Sequence, residues 1–160
     1  MFDYILGLPM HALVIHAVVV LVPLSALAAI AYAVRPGWRR LLRWPTALGA
    51  VVSGASAFVA AESGEALERR INAGRPDTTN FDLLAEHTDW GDRAKLFCLA
   101  FMVLTLVALW FARPPQEESP RGHAMDVLVG TLVVLSALAA TITVVLAGHA
   151  GSAVVWDGLG

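Results

Sequence analysis

The chain has 160 residues, a formal net charge of −2 and 58% hydrophobic residues, with a mean hydropathy of +0.68. That is one domain's worth of sequence, 1–160, and too apolar for a water-soluble domain, so a membrane protein is the direct reading. No basic stripe speaks for nucleic acid, and the single cysteine, Cys98, excludes a disulfide framework and a thiolate metal cluster.

The N-terminus carries Asp3 and no Lys or Arg, so the basic n-region of a cleavable signal is missing. Ala12–Val34 then runs without Asp, Glu, Lys or Arg, long enough to cross a hydrocarbon core of about 30 Å. It ends at Arg35-Pro36-Gly37, a charge followed by two helix breakers. The second apolar run, Pro45–Ala61, is short for a span, with Leu41-Leu42 extending its apolar face. Leu96–Ala112 is the third, closed by Arg113-Pro114-Pro115. Val127–Ala147 is the fourth, with Asp126 placed favourably at a helix start. The expected fold is an all-α, four-helix transmembrane bundle with helices near 10–34, 43–62, 93–113 and 126–148.

Orientation follows from the connections. The first holds Arg35, Arg39, Arg40 and Arg43 and no acid, which predicts a cytoplasmic loop. The second, Glu62 to Lys95, has eight Asp/Glu against five Lys/Arg and faces outward, as do both termini in an N-out, C-out topology. Trp38, Trp44 and Trp110 fit an inner aromatic belt, Trp90 and Trp156 an outer one. Within the outer connection, Ser63 suits the cap of a short helix through Asn72, ended by Gly74 and Pro76. Thr79 with Asp82 resembles a capping box that opens a second short helix toward Trp90. On that helix Leu83, Leu84 and His87 share the stripe turned to the bundle mouth.

This topology sorts the histidines. His11 and His16 stand at the outer end of the first helix, His87 in the outer connection and His149 after the fourth helix; His123 alone is cytoplasmic. His16, among Ile15 and Ala17–Val22, is the deepest, and an ionisable group inside a span calls for a partner. A hydrogen bond to a hydroxyl or carbonyl would supply one. His11 and His16 are separated by about 140° around a helix, so they do not chelate one ion together.

Haem b takes one or two imidazoles from different helices and an apolar slot. The first helix, the outer connection and the fourth helix could supply the rings. Gly49, Ser53, Gly54, Ala55, Ser56 and Ala57 could leave the slot or simply allow close helix packing. Copper or zinc held by His11, His16, His87 and His149, with Asp89 or Asp92 nearby, is the competing metal reading. A Ser63- or Ser152-based hydrolase has no G-x-S-x-G behind it. A scaffold or assembly protein, its histidines satisfied locally and with no cofactor, is the reading from another class. The four arginines read as an anchor to cytoplasmic headgroups.

LPMHALVIHAVVVLVPL resembles the opening of the DUF2231 membrane proteins, which typically carry a His-Pro-x-x-x-His run on the first helix. LLAEHTDWGDRAKL is similar to that family's single His before the third helix, followed by Gly-Asp, and GHAGSAVVW to its Gly-rich tail. Ala12 stands where the family often has Pro, leaving the start of the first helix less rigid. The resemblance implies a bacterial inner-membrane protein of four helices, sometimes joined to a Rieske iron–sulfur domain, and through that association electron transfer. It carries His11, His16, His87 and His149 over as the site positions. The expectation is therefore a membrane redox subunit with haem b at its outer side, His16 paired with His87 or His149. A membrane quinol and an outer-face, Rieske-type protein are the expected partners, and a homo-oligomer is left open.

Overall fold

The computed structural model describes residues 4–5, 7–74, 80–111 and 120–156. Two-residue strands, β1 (Tyr4–Ile5) and β2 (Leu8–Pro9), pair antiparallel around Gly7, whose φ of 82° is the left-handed conformation a glycine adopts freely. The chain then enters α1 (Met10–Val34). Arg35 leaves the helix, because a following proline disfavours the helical region. A single 3-10 turn (Pro36–Trp38) leads directly into α2 (Arg39–Gly74). The bundle is completed by α3 (Phe81–Phe111) and α4 (Pro120–Trp156).

The expected separate short helices of the second connection are instead the ends of α2 and α3. Between Ala61 and Gly74 lie strong helix formers, and Glu65 and Arg69 stand 3.6 Å apart at helical spacing, so nothing stops α2 at the membrane edge. Ser63 does not cap. Its hydroxyl donates back to Ala60 O at 3.0 Å within the helix. α2 does end at Gly74; Pro76 and Thr79 lie outside the described residues. The start of α3 is capped by Asn80, whose Oδ1 accepts from the N–H groups of Asp82 (3.2 Å) and Leu83 (3.3 Å). At the other end α2 begins at Arg39, so Pro45 falls in its second turn, and α4 begins at Pro120, ahead of Asp126.

The four helices form an up-down ring in which α1 packs on α2 and α4, and α3 on the same two, leaving α1 and α3 diagonal to each other. One end of the bundle carries the N-terminus of α1, the C-terminus of α4 and the turn side of α2 and α3; this is the histidine end. The arginines of 35–43 mark the opposite, arginine end.

Inside, the residues are small: Ala29, Ala50, Ala137 and Ala140 are fully buried around Val22, Cys98 and Phe101. Outside, they are large and apolar, with Leu27, Leu48, Trp44 and Trp110 all more than half exposed. In water such a surface would be an aggregation patch; in lipid it is the expected arrangement, because close packing of small residues is what associates helices there. All four helices are long and apolar enough to cross a membrane.

The small face of α2 is filled by its neighbours. A Cβ on Gly49 would stand 2.7 Å from Ser25 Oγ of α1, and one on Gly54 2.7 Å from Met102 Sδ of α3. Ser53 donates to Leu21 O at 3.4 Å. Those residues bring helices together and leave no slot at that depth.

Candidate functional site

At the histidine end two imidazoles meet across the diagonal of the ring. His11, in the first turn of α1, donates from Nδ1 to Ala60 O of α2 at 2.9 Å. His87, two turns into α3 on the same stripe as the buried Leu84, donates from Nδ1 to Ala147 O of α4 at 3.0 Å. A carbonyl can only accept, so each neutral ring keeps its proton on Nδ1 and leaves the Nε2 lone pair to take a ligand. The ring centroids lie 6.0 Å apart with the planes inclined at 74°. At that separation and inclination the two rings meet edge to face.

Both rings are half-buried, and each occupies ground that only glycine could yield. A Cβ on Gly64 would lie 3.0 Å from His11 Cε1, and one on Gly151 2.8 Å from His87 Cε1. Gly91, one turn from His87 on α3, and Gly148, next to Ala147, have no neighbouring helix or other packed side chain within 4 Å of where a Cβ would stand.

The other two expected site residues do not join this pair. His16 is exposed on the outer surface of α1, and its Nδ1 donates to Ala12 O, one turn back in the same helix. The partner that a buried imidazole would demand is thus found locally, and the ring faces away from the bundle. His149 is exposed on α4. His123 is exposed at the arginine end. Among the described residues no three His, Cys, Asp or Glu side chains gather as metal ligands. Asp89 and Asp92 are exposed, and Asp92 is engaged elsewhere. Lys95 Nζ stands 3.2 Å from Asp92 Oδ1, 3.4 Å from Glu65 Oε1 and 3.7 Å from Glu62 Oε1, tying α3 to α2. Thr88 Oγ1 adds a second tie to Glu68 Oε2 at 3.2 Å.

Spacing arguments did not find Ala60, Gly64, Ala147 or Gly151. Ala-x-x-x-Gly, as AAESG in α2 and AGHAG in α4, is no distinctive signal, since it also occurs as AVRPG at Ala33–Gly37 and AVVSG at Ala50–Gly54.

Small residues within, large apolar ones without, four spanning helices and two ordered imidazoles at one mouth define a multi-pass membrane protein. A family model described as a predicted membrane protein, DUF2231, matches residues 7–159. The chain belongs to that family. No curated protein and no solved structure matches it.

Proposed function

We propose that this protein is a membrane electron-transfer subunit in which His11 and His87 ligate a haem b iron. The observation that supports this reading is the imidazole pair itself, each Nδ1–H bonded to a backbone carbonyl and the centroids 6.0 Å apart. A backbone partner on the other nitrogen is the arrangement that orients histidine ligands and raises their basicity. One or two imidazoles from the protein would suffice to hold a haem, whereas zinc and copper sites usually draw three or four ligands from the protein. Gly91 and Gly148, at the same end of the bundle, stand over open space. Bound there, a bis-imidazole haem supplies one-electron transfer.

The arginines of the first connection orient the histidine end outward, with both termini outside a bacterial cytoplasmic membrane. Electrons would then pass between a membrane quinol and an outer-face partner such as a Rieske-type protein. His11 and His87 would hold the iron from diagonal helices, and the carbonyls of Ala60 and Ala147 hold the rings.

The test is an oxidised and a dithionite-reduced absorbance spectrum of protein purified in detergent from haem-sufficient cells. The expected result is a Soret band that shifts on reduction, with sharp α and β bands, lost in both His11→Ala and His87→Ala and kept in His16→Ala and His149→Ala. A folded, colourless, metal-free wild type overturns the reading and leaves a scaffold role in its place. A colourless protein with stoichiometric copper or zinc moves the same pair to a different ion.

A further inference from the structure

The two halves of the imidazole site are built alike. In the first hairpin a histidine of α1 reaches the carbonyl of Ala60 on α2, and Gly64 follows one turn later. In the second, a histidine of α3 reaches the carbonyl of Ala147 on α4, and Gly151 follows one turn later. The helices α1 and α3 are diagonal, as are α2 and α4, so a quasi-two-fold axis along the bundle relates one half to the other.

We propose that Ala60–Gly64 and Ala147–Gly151 are two copies of one half-site, and that Gly64 and Gly151 are positioning residues that fix which ring nitrogen each histidine offers. The ligand identity rests on the haem reading above; the half-sites do not.

The physical argument concerns one atom per half. In an α-helix the carbonyl of residue i meets the N–H of residue i+4, so the side chain at i+4 hangs over the route by which an outside donor reaches that carbonyl. With glycine at i+4 the route is open, and the Cε1–Nδ1 edge of the ring comes close to the backbone. With alanine it is obstructed. The Cβ would sit 3.0 Å from Cε1 and 3.1 Å from Nδ1 of His11, or 2.8 Å and 3.0 Å from the same atoms of His87. His11 Nε2 is the far nitrogen, 3.8 Å from that point, so the clash falls on the edge that carries the carbonyl bond. A displaced ring loses the backbone acceptor that holds its proton on Nδ1, and the proton is then shared between the two nitrogens. Glycine inside a helix is otherwise a cost, being destabilising relative to alanine. Two glycines at equivalent places under two imidazoles are that cost met at the same point twice.

The experiment is a long-range 1H–15N correlation spectrum of the histidine rings in detergent-solubilised full-length protein, recorded for the wild type, Gly64→Ala, Gly151→Ala and, as the control over open space at the arginine end, Gly37→Ala. Wild-type His11 and His87 are expected to show the Nδ1–H pattern. Gly64→Ala is expected to lose it at His11 alone and Gly151→Ala at His87 alone, the second more completely because its contact is tighter. Gly37→Ala leaves both unchanged. Two results overturn the proposal: wild-type rings that carry the proton on Nε2, which needs no variant to fold, or variants whose ring patterns match the wild type. The readout does not require haem. A colourless protein with the expected tautomers rejects the redox reading and keeps the half-sites, while a coloured protein insensitive to both glycines does the reverse. Where the wild type is coloured, both variants should also shift the midpoint potential or broaden the α band, which a purely structural glycine would not do.

Discussion

The two ends of the bundle solve the same problem in opposite ways. At the arginine end Arg39 Nη1 donates to Asp126 Oδ2 at 2.7 Å, and its guanidinium carbon lies 5.7 Å over the Tyr32 ring. A cavity of about 30 Å³ beside them, bounded by Tyr32, Arg39, Asp126 and Gly130, has room for a single water. Charge there meets charge across α2 and α4, and the ion pair itself acts as a clamp. At the histidine end the two rings do not bond each other. Each turns one nitrogen to a backbone carbonyl and keeps the other in reserve. One end is a closed pair, the other an open one, and only an open pair can take a ligand.

The sharpest way to break that contrast is to remove one member at each end and follow colour and stability separately. If haem is bound as proposed, His87→Ala should abolish the sharp α and β bands, with Asp126→Ala leaving them intact; loss of the bands in Asp126→Ala with retained fold would show that the ends are not independent. Asp126→Ala should lower thermal stability in detergent, since it strands a guanidinium whose side chain is only 21% exposed. Removing one partner of a fully buried pair costs about 3–5 kcal/mol, and partial exposure here discounts that to roughly 1–3 kcal/mol. Asp126→Asn, which keeps an acceptor, should recover part of the loss. A smaller effect is expected at Lys95. Its three carboxylate neighbours are between 37% and 57% exposed, so Lys95→Met should cost about 0.5–1 kcal/mol in low salt and less in high salt. A salt-independent loss would mean that the network is packed away from solvent.

What could be read from sequence alone divides along the same lines. The spans were legible because a membrane core demands long uncharged runs, and Ala12–Val34 or Val127–Ala147 admit no other reading. The stripe of Leu84 and His87 was legible because helical periodicity is local. The break at Ser63 was misplaced, since a serine that could cap a helix can equally bond back to a carbonyl inside one, and only the neighbouring turns decide. Asp126 read as a helix-start charge and Arg39 as a headgroup anchor; their contact spans 87 positions, and no local pattern encodes it. Depth in the apolar run pointed to His16 as the residue in need of a partner. Depth fixes how far along a helix a ring lies, but rotation fixes where it points, and a surface ring can be satisfied by Ala12 O in its own helix.

His16 therefore gives the smallest expected effect and a decisive one. Its ring is exposed and its one hydrogen bond is to the carbonyl four residues back. Replacing it with alanine removes a local bond worth about 0.5–1.5 kcal/mol. It also restores several tenths of a kcal/mol, up to roughly 0.7, of helix propensity. The two nearly cancel, so His16→Ala should shift stability by less than about 1 kcal/mol and leave the reduced spectrum unchanged. A thermal melt and a dithionite difference spectrum on the same preparation measure both. Should His16→Ala bleach the protein while His11→Ala does not, the axial ligand lies on the outer face of α1. The cofactor would then sit between this helix and something beyond the bundle, and the mouth between α1 and α3 would lose its claim to the iron.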